Sequence, residues 1–260
     1  MTTPAAHPAD TAAVGAAARP RVAIVVPLKD EEEGVPSLLA ALDALADGAR
    51  ATTFEFVFVD DGSTDRTHAL LQERLAGRAN ARLVQHAENR GISAAIRSGV
   101  LATDAPVVVS IDADLSYDLG EIAPMLALLD GVGEGKGVAD VVTASPYHPR
   151  GSVRGVPGWR LFLSRTLSAC YRLLLRQPIH TWTACFRACR RSAIADLPLV
   201  NGGFLVTAEL LVRVLRRGGV VREHPCELRT RRFGQSKMRV MRTIGGHLRL
   251  LANVALRRIR

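Results

Sequence analysis

Residues 107–116 read Val-Val-Val-Ser-Ile-Asp-Ala-Asp-Leu-Ser, an apolar, β-branched run that ends in a pair of carboxylates. Such a run suits a strand buried on both faces, the habit of parallel sheets flanked by helices. Asp112 and Asp114 then stand at the strand's carboxyl end, where open α/β sheets place their ligands. In an extended segment, residues i and i+2 point the same way, so both carboxylates are expected to meet one cation. A hard divalent ion, Mg2+ or Mn2+, takes oxygen ligands and would hold the phosphates of a substrate. Asp-x-Asp alone also occurs as an acidic turn, so the assignment depends on the rest of the chain.

Earlier runs have the same form. Residues 21–28, Arg-Val-Ala-Ile-Val-Val-Pro-Leu, read as a first strand, followed by Lys29, Asp30, Glu31, Glu32 and Glu33. These acids suit the first turn of a helix, where they oppose its dipole, or they line a ligand crevice. Residues 54–59 form a second strand that runs into Asp60-Asp61-Gly62-Ser63-Thr64-Asp65. Gly62 permits a tight turn, and Ser63, Thr64 or Asp65 can cap the next helix. Capping leaves Asp60 and Asp61 unexplained, and carboxylates at that edge can accept hydrogen bonds from a ribose or a base. Further strands are expected at 81–85 and 139–144, and helices at 35–45, 92–101 and 119–129. This rhythm predicts a mostly parallel, doubly wound α/β sheet with helices on both sides. No Gly-x-Gly-x-x-Gly follows the first strand, which disfavours a dinucleotide-binding Rossmann domain.

Past residue 144 the rhythm changes. Residues 145–160 are rich in Pro, Gly and Arg, and a loop that long is usually functional or disordered. An amphipathic helix is expected over 161–175. Arg154, Arg160, Arg165 and Arg172 either face phosphate or anionic lipid or are simply solvated. Trp182, Phe186 and Arg187 precede a helix over 205–217 that carries Glu209, whose charge is either paired or reaches the site. An edge strand is expected over 220–228. Residues 229–237 form the densest basic cluster, with Gly234 as a hinge, and suit a phosphate clamp or lid.

The net charge of +9 points to acidic partners: phosphorylated substrates, an anionic membrane surface or nucleic acid. Sparse aromatic residues and the lack of any zinc-finger or basic-zipper spacing make nucleic acid the weak reading. Cys170, Cys185, Cys189 and Cys226 form no Cys-x-x-Cys pair and read as reduced, structural thiols. Residues 1–20, rich in Ala, Pro and Thr, read as a disordered tail rather than a signal peptide. No clean apolar span of membrane-crossing length is present.

Together these motifs resemble the inverting family-2 glycosyltransferases of GT-A fold, and more narrowly the dolichyl- or polyprenyl-phosphate mannosyltransferases. The resemblance runs from about Val22 to Lys237. It is carried by Val-Val-Pro-Leu-Lys-Asp-Glu at 25–31, Val-Asp-Asp-Gly-Ser-Thr-Asp at 59–65, Asn89-Arg90-Gly91 with Ala95 and Gly99, Asp-Ala-Asp-Leu-Ser at 112–116 and Phe-Gly-Gln-Ser-Lys at 233–237. It implies a single GT-A domain over 21–240, with a nucleotide-sugar half at 21–144 and an acceptor half at 145–240. An amphipathic C-terminal helix at 241–260 follows, packed on the domain or lying on a bilayer. Pro27, Asp30, Glu31, Asp60 and Asp61 would border the nucleotide, and Asp112 and Asp114 would hold the metal and the diphosphate. Asp112, Asp114 and Lys237 would be catalytic. Arg154, Arg160, Phe186, Arg187, Arg231, Ser236 and Lys237 would serve the acceptor and phosphate side.

The expected activity is transfer of one hexose, mannose first, from a GDP- or UDP-sugar to a polyprenyl phosphate with inversion. It would use Mg2+ or Mn2+ in a cytoplasmic protein, peripheral at the inner face of the membrane. The alternatives are a family member with a soluble or glycan hydroxyl acceptor, and a non-catalytic nucleotide-binding protein. The chain departs from the family pattern at Lys29-Asp30 in place of Tyr-Asn, and at Ala144-Ser145-Pro146 in place of Gly-Ser-Arg. It also has Thr181 for an aspartate and Ala184-Cys185 for Ser-Gly.

Overall fold

The computed structural model describes residues 21–49, 51–132, 137–199, 203, 205–230 and 240–256. The expected tail at 1–20 lies outside them. In chain order the elements are β1 (Arg21–Leu28), α1 (Val35–Gly48), β2 (Thr53–Asp60), α2 (Thr67–Leu75), β3 (Ala81–Gln85), α3 (Ile92–Leu101) and β4 (Val107–Ser110). A 3-10 turn (Leu119–Glu121) leads into α4 (Ile122–Leu129), then β5 (Val141–Ser145), β6 (Ser152–Val153) and α5 (Gly158–Leu175). The chain continues through β7 (Arg187–Arg190), α6 (Arg191–Ile194), α7 (Leu205–Arg216), β8 (Val221–Pro225), β9 (Glu227–Leu228) and α8 (Val240–Ala255).

The main sheet has seven strands in the order β3-β2-β1-β4-β7-β5-β8. Only β7 is reversed, antiparallel to both β4 and β5. It was not foreseen in the sequence, and it comes from the stretch assigned to the acceptor half. The expected edge strand is broken at Cys226: β8 closes the main sheet, and β9 pairs with β6 in a separate two-stranded ribbon.

β1 shows why the sheet is covered on both faces. Ala23 and Val25 join one core layer, while Val22, Ile24, Val26 and Leu28 join the other. Alternate side chains of a strand point to opposite faces, so a continuous apolar run needs a layer on each. Leu38, Leu39 and Leu42 of α1, Leu71 of α2 and Ile122 and Met125 of α4 build one layer. Ala95 and Ile96 of α3, Tyr171 of α5, several residues of α7, and Leu250 and Val254 of α8 build the other. At Gly99 the helix α3 comes so near β1 that an added Cβ would lie 2.3 Å from Val25 Cγ1. Glu209 of α7 is paired: Arg213 Nε donates to its Oε1 at 2.7 Å. Tyr171 stacks on the buried Trp182 at 5.2 Å, and its hydroxyl meets His247 Nδ1 of α8 at 3.0 Å, which fastens the C-terminal helix to the domain.

Candidate active site

The parallel strands bring several acidic loops to one sheet edge. After β1, Asp30 adopts the left-handed region at φ 48°, which aspartate tolerates better than most residues. Its Oδ1 accepts hydrogen bonds from Thr64 N at 2.7 Å and Lys29 Nζ at 2.9 Å. Asp30 N donates to Ser63 Oγ at 2.9 Å, and Glu31 N to Thr67 Oγ1 at 2.7 Å. The loop after β1 is thus laced to the loop after β2. Gly62 makes that second loop possible: its φ is 67°, and a Cβ would lie 2.5 Å from the Glu88 carbonyl carbon.

The paired aspartates after β2 do different work. Asp61 Oδ1 accepts from Arg90 N at 2.9 Å and faces His86 Nδ1 at 2.7 Å, and its Oδ2 accepts from Gly91 N at 2.7 Å. His86 Nε2 in turn reaches Ser98 Oγ at 2.8 Å. Asp61 therefore organises the 86–91 loop. Asp60 is fully buried, and its Oδ1 accepts from Ser63 N at 2.9 Å. Its Oδ2 lies 3.2 Å from His68 Nδ1 without hydrogen-bond alignment, so both atoms are buried and unsatisfied. A buried acceptor in that condition is costly, and a donor on a bound molecule would relieve it. Pro27 sits next to last in β1, paired with Val59 of β2.

The Asp112–Asp114 pair differs from its expected form. β4 stops at Ser110, so the carboxylates ride on the turn that follows it and strand alternation does not set their directions. Asp114 Oδ1 accepts from Ser116 N at 3.0 Å, an Asx turn, and Leu115 between them takes φ 51°. Asp114 is buried and Asp112 partly so. The Cys185 thiol sits against Asp112. Burial first, then the charges of Asp112 and Asp114, push this thiol well above its ordinary range, so it stays protonated. Tyr117 packs against Phe186 with ring centroids 5.4 Å apart, and burial likewise drives its hydroxyl well up. Among the described residues no cluster of three or more His, Cys, Asp or Glu side chains forms a metal cage. The donor set on the turn is a pair of hard carboxylates. That fits Mg2+ or Mn2+ shared with a diphosphate, and does not fit an all-protein site.

The predicted acceptor residues scatter. Phe186 and Arg187 lie inside the fold. Arg187 Nη2 donates to Trp182 O at 2.9 Å and Nε to Thr143 Oγ1 at 3.3 Å, while Nη1 donates to Thr207 O. Burial lowers this guanidinium to about 10, and it remains charged at neutral pH, caged mainly by carbonyls. Arg154 is exposed and pairs with Glu227, which also holds Arg229 at 2.7 Å. Arg160 lies over the Trp159 ring at 5.2 Å, and its Nε is buried without a hydrogen-bond partner. Arg231, Ser236 and Lys237 lie outside the described residues. Sequence reasoning missed a polar cluster at the carboxyl end of β5, where Glu223 of β8 gathers Ser145, His180 and Thr181. A single glutamate between an arginine and a histidine in a short edge strand carries no local signal of such a role.

A family model described as glycosyl transferase family 2 matches residues 23–197. A protein named polyprenol monophosphomannose synthase, from Mycolicibacterium smegmatis, is 33% identical over 225 residues, covering 84% of this chain and 81% of the relative. A dolichol-phosphate mannosyltransferase from Pyrococcus furiosus is 27% identical over 221 residues, covering 84% of this chain and 59% of the relative. Among solved structures, glucosyl-3-phosphoglycerate synthase from Mycobacterium tuberculosis, in complex with Mn2+, UDP and glucosyl-3-phosphoglycerate, superposes with a TM-score of 0.65 at 23% identity. That match covers 94% of this chain and 82% of the other, and it establishes likeness of fold.

Proposed function

The chain belongs to glycosyl transferase family 2, and on that premise we propose that it moves one hexose from a nucleoside-diphosphate sugar to a polyprenyl phosphate, inverting the anomeric centre. The observation that carries the reading is the Asp112–Asp114 turn at the same edge as the loops after β1 and β2. Asp60, with its buried acceptor unsatisfied, would take a donor from the nucleotide, with Pro27, Asp30 and Glu31 along the same rim. Asp61 would hold the 86–91 loop in place beneath it. Asp112 and Asp114 would hold Mg2+ or Mn2+, which when bound neutralises the departing diphosphate. Lys237 and Arg231 would add positive charge beside the phosphates.

In the reaction, an oxygen of the acceptor phosphate forms a bond to the anomeric carbon from the face opposite the diphosphate. The bond from that carbon to the diphosphate oxygen breaks, and the nucleoside diphosphate leaves with the electron pair. A hydroxyl acceptor would need a general base, whereas a phosphate is already anionic and needs none. Mannose is the first choice of sugar, after the relatives' names.

Helix α5 supports a lipid acceptor. Trp159, Phe162 and Leu173 are 53%, 69% and 82% exposed, and recur on one face together with Thr166, Ala169 and Cys170. Arg165, Arg172 and Arg176 border that face. An apolar stripe with a basic margin suits the surface of an anionic bilayer. No helix among the described residues is long and apolar enough to cross a membrane. The stripe would make peripheral contact, at the cytoplasmic leaflet.

The direct test incubates the purified protein with GDP-mannose, UDP-glucose and other nucleotide sugars, Mg2+ or Mn2+, and a short-chain polyprenyl phosphate. Mass spectrometry then looks for the glycosyl phospholipid. Product on a soluble hydroxyl acceptor, with none on lipid phosphate across the donor panel, overturns the lipid reading.

A further inference from the structure

We propose that His180, held by Glu223 and edged by His148, is the anion-binding element that takes the phosphate monoester of the acceptor, an assignment that rests on the transferase reading above. Glu223 lies on β8 opposite Thr143 of β5, and its side chain is nearly buried. Its Oε1 accepts from Ser145 Oγ at 2.6 Å, His180 N at 2.7 Å and Thr181 N at 2.9 Å. Its Oε2 lies 2.8 Å from His180 Nδ1. A carboxylate so placed holds the ring by Nδ1 and turns Nε2 outward, where a proton carried by an approaching anion would lie between the two. Among the described residues nothing hydrogen-bonds His180 Nε2, and the side chain stays 25% exposed.

A second imidazole and an arginine stand close by. The His148 ring meets His180 edge-on, with centroids 5.3 Å apart and planes at 78°. His148 Nδ1 accepts from Arg150 N at 3.2 Å, which leaves the His148 proton on Nε2. Arg165 of α5 lies over the ring of Tyr147 at 5.5 Å. Glu223 is already saturated by its own chain's donors. A phosphate monoester, whose second pKa is about 6, presents acceptor oxygens and one shareable proton, which suits an outward ring nitrogen with an arginine nearby.

Register puts this cluster where an acceptor belongs. Ser110, Arg187 and Thr143 stand level across β4, β7 and β5, so the turn after β4 and the end of β5 open at the same carboxyl edge. Two strand spacings separate them, roughly 10 Å. That gap suits a sugar lying between a leaving diphosphate at Asp112–Asp114 and an attacking phosphate at His180. Arg165 of α5 lies over Tyr147, the neighbour of His148, and the same helix carries the exposed Trp159 and Phe162, so a prenyl chain has an apolar surface on the adjoining element.

The test reads phosphate binding in the full chain without donor and without turnover. Imidazole nitrogen signals are followed by NMR during titration with geranyl phosphate, inorganic phosphate, glycerol 3-phosphate and geraniol. We expect the His180 and His148 signals to move saturably with each phosphate and not with geraniol. His180→Gln is expected to weaken geranyl phosphate binding about tenfold or more, with UDP or GDP binding in Mn2+ changed by less than about twofold. Its melting temperature should stay within about 2 °C of the parent. Still signals, movement with geraniol alone, or parallel loss of phosphate and nucleotide binding overturns the assignment. So does unchanged phosphate binding in His180→Gln with turnover lost on a hydroxyl acceptor, which would make His180 a general base. If His180→Gln does not fold, the titration of the parent protein and of His148→Gln decides. If glycerol 3-phosphate moves the signals at lower concentration than geranyl phosphate and no lipid product forms, the lipid reading fails while the anion site stands.

Discussion

Under the proposed reading, Asp114 serves structure and chemistry together. One oxygen accepts from Ser116 N and shapes the turn, while the charge belongs to the ligand edge. Asparagine keeps the first function and removes the second. Asp114→Asn is therefore expected to lower kcat/KM about 100-fold or more. Its melting temperature should stay within about 2 °C of the parent, read by steady-state kinetics beside calorimetry. The place of Asp60, Asp61, Asp112 and Asp114 at the carboxyl ends of strands was legible, because each pair follows an apolar, β-branched run. Their orientations were not. Which oxygen of Asp60 stays unsatisfied, and that Asp61 spends itself on the 86–91 loop, depends on backbone donors brought in from distant segments. The same limit hid the cage of Arg187, whose partners are carbonyls on α7 and the 181–183 segment.

At the scale of elements, β1 to β4 and the helices between them follow the expected order because each carries its own periodicity. β7 escaped notice for a physical reason. Arg187-Ala188-Cys189-Arg190 begins and ends in arginine and is only four residues long. It is a strand because β4 and β5 offer it donors and acceptors on both sides, not because of its own propensity. Helix α5 and an apolar approach along it were expected, yet which residues face solvent was not: amphipathicity shows that a stripe exists but not which side the core takes. Only Ser168 and Tyr171 of that helix are buried. Replacing Trp159 and Phe162 together with glutamate should cut binding to vesicles of phosphatidylglycerol and phosphatidylcholine about tenfold or more, measured by flotation. Thermal stability should be nearly unchanged, since both side chains are already in solvent. Equal flotation of the variant and the parent would remove the membrane from the account.

At the scale of the molecule, the core layer that holds α5 and α7 meets the C-terminal helix at the buried His247. Burial pulls His247 down from 6.5 to about 4, so the folded protein keeps it neutral where the unfolded chain would protonate it. Between those values the unfolded chain binds the extra proton. Stability from this group is complete above about pH 6.5 and falls as pH drops towards 4, by about 3 kcal/mol at most. Thermal melts from pH 7 to 4.5 should show that decline, and His247→Leu should flatten it even if its stability at pH 7 is lower. A decline of the same slope in the variant would place the acid sensitivity elsewhere.

The reversed strand also governs how the chain can be made. A ribosome releases β4 long before it releases β7, yet β7 is the only strand that joins β4 to β5. At about 5–20 residues per second, the open edge of β4 waits several seconds for its neighbour. During that wait the β3-β2-β1-β4 portion exposes an unpaired, strongly apolar strand to every other nascent chain. Demand for chaperones should therefore be concentrated in one stretch of synthesis, ending when residue 190 clears the exit tunnel.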